Sequence, residues 1–354
     1  MSISILVLST IAFINAITFG LFFNEEIEIT VTAKDSGVSG LEKIEYRLVD
    51  ENGTPITDWA EYDENNKPTV NAQFKGYVEA RATDNAGNTS PVVTSKGFVL
   101  DAEKPSINVT ATVNGADYDT TFTSDNIILT PNATAFSGIY EYQYRIDNGE
   151  WNVMTTESII AIDGVHTYEF KAISNANLES DIVSVTTKVD KGTPELTVNV
   201  VGTTGSWTSS DIVFTLSSTN ANSGTTYYYN NGNGWVEMDG NVLTVSENIK
   251  STYSFKVING TGVEIICPTT YNVMMDKVAP TVKTEYGEHI PNESLVINVE
   301  ATAGISGIKT ITVDGEDIIA NQSFTVSENG TYTVTVVANN GLSTTTTITV
   351  SSFD

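Results

Sequence analysis

The sequence predicts an all-β chain of four tandem two-sheet sandwiches set in an elongated array. Three observations predict it. Strand-like alternation recurs along the chain, with turn residues about every 8–12 positions. Three linkers share one form, Asp-x-x-x-Pro. No segment shows helical periodicity over three turns, apart from an uncharged N-terminal stretch.

Composition narrows the function. The chain has 354 residues, 40% hydrophobic and 17% charged. At roughly 100–150 residues per domain, it is long enough for two to four domains, each able to bury a core. A disordered acidic tail or a coiled coil is excluded. Seventeen Lys and Arg face 44 Asp and Glu, for a net charge of −27. Nucleic acid needs clustered cations, so no nucleic-acid partner is expected. Adsorption to anionic lipid is equally disfavoured. His166 and His289 are the two histidines, and Cys267 is the one cysteine. Cys/His zinc sites, thiol catalysis with a resolving cysteine, and disulfide frameworks are out of reach. No Gly-x-Ser-x-Gly elbow occurs. The chain is read as not an enzyme, with no cofactor.

At the N-terminus, Ile3 to Phe23 carries no charge. Three readings compete. One is a secretory leader, without Lys or Arg ahead of the apolar run and with Ala16 as the best cleavage candidate. Another is a membrane-spanning helix, for which about 20 apolar residues suffice. The third is a first strand. Residues 1–16 are therefore assigned to a hydrophobic leader or anchor, or to an irregular first strand, with leader or anchor preferred. Membrane contact is expected only through this segment.

The rest divides into repeats at 17–101, 102–190, 191–276 and 277–354. The clearest marker is the linker: Asp101 to Pro105, Asp190 to Pro194, Asp276 to Pro280. Its aspartates recur at intervals of 89 and 86 residues (101 to 190, 190 to 276). Proline fixes φ and biases its predecessor toward extended geometry, so each linker reads as a short stiff joint. A second marker places an aromatic or apolar residue five positions before a strand: Phe22 before Ile27, Phe122 before Ile127, Trp207 before Ile212, Ile290 before Leu295. Alternating Ile, Val and Thr then read as a half-buried strand. A third marker is Ser-Gly, at Ser39, Ser137, Ser223 and Ser306, each opening another strand. A hairpin with Trp59, Trp151 or Trp235 follows in the first three repeats, and Asp314-Gly315 replaces it in the fourth. The last marker is a final hairpin with Tyr168, Tyr253 or Tyr332 leading its first strand and a polar turn closing it. In the first repeat Val78, Ala80 and Ala82 take the inward parity. A tyrosine there suits a tyrosine corner, with its ring in the core and its hydroxyl on backbone.

The order of these motifs resembles the tandem bacterial immunoglobulin-like repeats of large surface and secreted proteins. The motifs are Asp-Lys-x-x-Pro, Ser-Gly-Ile, Tyr-Arg-Ile-Asp-Asn-Gly-Glu-Trp, Tyr-x-Phe-x-Ala and Asn-Ala-Gly-Asn-Thr-Ser. The resemblance covers the chain from about Thr18 onward. It implies four immunoglobulin-like β-sandwich domains outside the cell, serving as a stalk, an adhesin segment or a spacer beside another domain. A host or environmental glycan or protein is the implied partner class, and the chain would be a monomer within a larger surface assembly. The family has no common active site, so no catalytic residue is carried over.

Two groups of side chains are candidate sites. Asp84, in a loop, and the joint aspartates Asp101, Asp190 and Asp276 are candidates for calcium, which wants six to eight oxygen ligands. Against this, Asp84 becomes Ser174, Asn259 and Ala338 in the other repeats, and each joint carries a lysine. Solvated turn residues are the preferred reading. Trp207, Tyr227, Tyr229 and Trp235 are candidates for a sugar-stacking platform in the third repeat. Tyr227 and Tyr229 share one strand face and Tyr228 takes the other, so at least one face must be core. A core role for the recurring tryptophans is preferred. Neither histidine has a second histidine nearby in sequence, and Cys267 is expected as a small core hydrophobe in the last strand.

Overall fold

A computed structural model describes residues 2–8, 21–287 and 293–353. Every regular element in it is a β-strand. The strands form eight sheets that face one another as four successive pairs. The chain divides into two compact units, Met1–Val189 and Asp190–Asp354, each holding two of these pairs.

The first sheet of each pair is built around the alternating strand that the sequence marks. Ile27–Lys34, Ile127–Thr134, Ile212–Thr219 and Leu295–Thr302 each lie between an earlier and a later antiparallel neighbour. Their inward residues are buried: Ile27, Ile29 and Val31 in the first, Ile212, Phe214 and Leu216 in the third. Period-two burial of this kind is what a sheet with one core face requires.

The N-terminal segment enters this scheme. Ser2–Leu8 pairs antiparallel with Ile27–Lys34, in register from Ser2↔Lys34 to Leu8↔Glu28. Ser106–Val113, Glu195–Val201 and Thr281–Tyr286 hold the same place in the other pairs. The described part of 1–16 is thus a first strand, and residues 9–16 lie outside the described residues. No helix among the described residues is long and apolar enough to cross a membrane.

The second sheet of each pair is built on a long strand: Phe74–Asp84, Gly164–Ser174, Ile249–Asn259 or Gly330–Ala338. Its inward residues face the first sheet. Val78, Ala80 and Ala82 are buried in the first pair, and Tyr168, Phe170 and Ala172 in the second. The tyrosine corner is present: the Tyr168 hydroxyl accepts the Ile162 N–H at 2.9 Å, and Tyr332 donates to the Glu328 carbonyl at 3.0 Å. The aromatic marker is a short strand that crosses between sheets. Leu21–Phe23 and Trp207–Thr208 run parallel to the final strands Phe98–Leu100 and Tyr271–Met275, and Thr123 bridges Val189 likewise. Ile290 lies outside the described residues. This strand order is that of an immunoglobulin-like sandwich, repeated in tandem. Each pair keeps its own core, as the separate clusters around Phe98, Phe170, Phe214 and Val334 record.

Candidate functional site

The joint aspartates have a common geometry. Asp101, Asp190 and Asp276 are completely buried. Each carboxylate reaches the Ser-Gly loop of the sandwich that follows. Asp101 Oδ2 accepts the Ser137 N–H at 2.9 Å, Asp190 Oδ2 the Ser223 N–H at 2.9 Å, and Asp276 Oδ2 the Ser306 N–H at 2.8 Å. The Ser223 hydroxyl also donates to Asp190. The other oxygen accepts the amide two residues on: Glu103 at 3.3 Å, Gly192 at 3.0 Å and Val278 at 3.0 Å. The glycines of the loops, Gly138, Gly224 and Gly307, have φ of 82°, 82° and 73°, which is why glycine follows serine there.

The same aspartate is anchored upstream by its backbone. Asp101 N–H donates to the Phe23 carbonyl at 2.9 Å and Asp276 N–H to Thr208 at 3.0 Å, both on the crossing strands of the preceding sandwich. The final-hairpin turn closes the node from a third side. Asn175 Nδ2 donates to the Ser137 carbonyl at 2.8 Å, and Asn339 Nδ2 to Ser306 at 2.8 Å. Asn340 Nδ2 donates to the carbonyls of Asp276 and Val278 at 2.8 and 2.9 Å. At the first joint Ala176 is buried against Phe22 and Val99. Linker, Ser-Gly and polar turn, three separate markers in sequence, are therefore one structure.

These carboxylates meet donors only. Burial pushes Asp276 up, but the donors of the Ser306 loop and Val278 outweigh it and hold its carboxyl below the ordinary value. Burial acts the same way on Asp190, and the Ser223 hydroxyl and amide outweigh it. Asp84 uses its carboxylate to fold its own turn, accepting Ala86 N–H at 3.0 Å and Asn88 N–H at 2.8 Å. Its pKa is lowered by the Asn88 side chain and amide. A calcium ion would need these oxygens turned from N–H groups to the ion. No group of three or more His, Cys, Asp or Glu converges among the described residues.

The aromatic candidates do not share a face. Tyr227 and Tyr229 pack against the core of the third pair. Trp235 is on the outer face with Tyr228, over the Lys256 ammonium at 4.9 and 5.1 Å. Trp207 lies on the opposite edge strand of that sheet. The core role expected for the hairpin tryptophans is corrected: they cover the outer face. Trp59 packs on Arg47 and Arg81 at 4.6 and 4.3 Å, and Trp151 on Arg145 and Lys171, both at 4.8 Å. The cations are tied in turn to carboxylates, Arg47 to Glu79 and Arg145 to Glu169. The fourth sheet has no tryptophan and carries threonine pairs instead, Thr331–Thr349 at 3.2 Å and Thr335–Thr345 at 3.1 Å.

Cys267 is half-buried against the core beside the short strand Glu264–Ile266, ahead of the last strand. His166 has a partner that sequence proximity did not reveal: its Nδ1 lies 2.6 Å from Asp147 Oδ2. His289 lies outside the described residues.

No family model matches the chain, and no curated protein matches it. Among solved structures, it is similar to a tetra-tandem repeat in the extending region of a large adhesion protein, at 16% identity and TM-score 0.34, covering 92% of this chain and 95% of that one. It is also similar to fibronectin(III)-like modules of Clostridium thermocellum CbhA, at 16% identity and TM-score 0.25, covering 52% and 95%. A third is the N-terminal eight Ig domains of Down Syndrome Cell Adhesion Molecule, at 12% identity and TM-score 0.34, covering 99% and 49%.

Proposed function

We propose that the chain is a non-catalytic segment of a bacterial surface or secreted protein, of the tandem immunoglobulin-like kind. It spaces or presents a binding function outside the cell. The repeats run 17–101, 102–190, 191–276 and 277–354, and the strand Ser2–Leu8 within 1–16 completes the first of them. One observation carries this reading. The same node is built from Asp101, Asp190 and Asp276, the fully buried carboxylates among the described residues, each tied to the serine loop of the next sandwich. The partner class is a host or environmental glycan or protein, and the chain acts as a monomer within a larger surface assembly. Single-molecule stretching tests the reading: four separate unfolding events are expected, and one concerted event overturns it.

A second reading is favoured by the outer face of the third repeat, where Trp235 is 37% exposed beside Tyr228. There the chain is a glycan-binding accessory module of a secreted hydrolase. Sugar rings stack on exposed aromatic faces. Saturable binding on a polysaccharide array, lost in Trp235→Ala, would establish it. Absence of binding to any polysaccharide would retire it.

A further inference from the structure

We propose that the buried linker aspartate, at Asp190 and Asp276, is an acid-operated latch: ionised, one carboxylate oxygen holds the linker's own turn and the other the serine loop of the following sandwich, and protonated, it loosens that grip. Asp276 shows the construction. One oxygen takes the Val278 N–H and the other the Ser306 N–H. A protonated carboxyl keeps one full acceptor, while its hydroxyl oxygen accepts only weakly. One of the two N–H bonds is then weakened.

At the first and third joints the flanking lysines turn elsewhere, Lys104 to Asp181 and Lys277 to Asp211. The groups facing the Asp276 carboxylate are neutral: Val278, Ser306 and Gly304, with Asn340 on the adjoining backbone. Asp101 is met by the amides of Glu103 and Ser137. Asp190 is met by Gly192, Ser223, the Asn222 amide and the Asn259 side chain. Gly304 fits closely, since a Cβ there would lie 2.5 Å from both Asp276 oxygens. The latch also has polarity. The Asp276 N–H belongs to the upstream sandwich and its carboxylate to the downstream one, so opening the carboxylate removes one downstream tie and leaves the linker held by the Asn340 side chain.

The sign follows from the depressed carboxyls of Asp190 and Asp276. Their contribution is fully present above the unfolded value of about 3.9 and is lost as pH falls through the lower folded value.

Asp276→Asn imitates the released state at neutral pH, because an amide sets a donor against a donor. Lys277 and Val278 are exposed, so the linker carries its own tryptic site. In the full chain at pH 8, cleavage after Lys277 is expected to rise about tenfold or more in the variant. Native-like cleavage would overturn the latch. A second measurement needs no variant. Amide exchange of the native chain, corrected for intrinsic rates, should show Ser306 and Val278 keeping protection above about pH 3.9 and losing it as pH falls further, while Val334 in its strand keeps it. Equal behaviour of the three amides would overturn the acid step even if Asp276→Asn is too unstable to assay.

Discussion

Asp84, Ser174 and Asn259 occupy one turn position and share one task. Asp84 accepts the Asn88 amide at 2.8 Å, Ser174 the Leu178 amide at 3.2 Å, and Asn259 the Val263 amide at 2.8 Å, each four residues on. The exchange of residue types speaks for turn folding, since any short side chain with an acceptor suffices. His166 makes a sharper case. Its hydrogen bond to Asp147 holds the imidazole pKa above the ordinary value, and the same bond holds the Asp147 carboxyl below its own. The histidine contribution is therefore full below about pH 6.5 and is lost as pH rises through the raised folded value. Melting temperatures measured from pH 5.5 to 8.5 should fall more steeply for the native chain than for His166→Gln. Parallel curves would remove the pair from the account. This partner was illegible in sequence because Asp147 and His166 lie on opposite sides of a strand pair, 19 positions apart.

At the scale of elements, alternation was a reliable guide where strands were long. Eight-residue stretches such as Ile27–Lys34 and Ile212–Thr219 display the period-two pattern that their burial follows. The face of Trp59 and Trp151 is not legible in sequence because the strands they precede are short. Ala60–Glu61 and Asn152–Val153 have two residues each, too few for parity to be read. What settles the face is the neighbouring strand, where Arg145 pairs with Glu169 and Gln143 with Lys171 on the outer side. A tryptophan laid over these stems excludes water and gains cation–π attraction, on the order of 0.5–1 kcal/mol at a surface site. Trp151→Ala should therefore destabilise the second sandwich modestly, whereas Phe170→Ala, fully buried, should cost about 3–5 kcal/mol. Urea titrations of the two variants will separate the roles; equal losses would place Trp151 back in the core.

At the scale of the whole molecule, the all-β class and its repeated paired-sheet units could be read from linear markers, but the convergence of those markers could not. The bonds from Asp101 to Ser137 and from Asp276 to Ser306 close spans of 36 and 30 residues. Nothing local in the sequence announces that an acid and a serine so far apart will meet. The separate cores predict how the molecule responds to load. Each repeat should yield on its own and release about 80–90 residues, or roughly 300 Å at about 3.3–3.6 Å per residue. Four steps of similar length are expected in a stretching trace, and merged steps would show that neighbouring cores yield together.

The polarity of the seam has a consequence for how such a gene grows. A segment running from one linker aspartate to just before the next brings a plug for its own serine loop and ends on the backbone that receives the following plug. Unequal crossover at that boundary adds or deletes a complete module and supplies each new linker aspartate with a serine loop to receive it. Lengthening the protein thus requires no new interface, only another copy of an existing one.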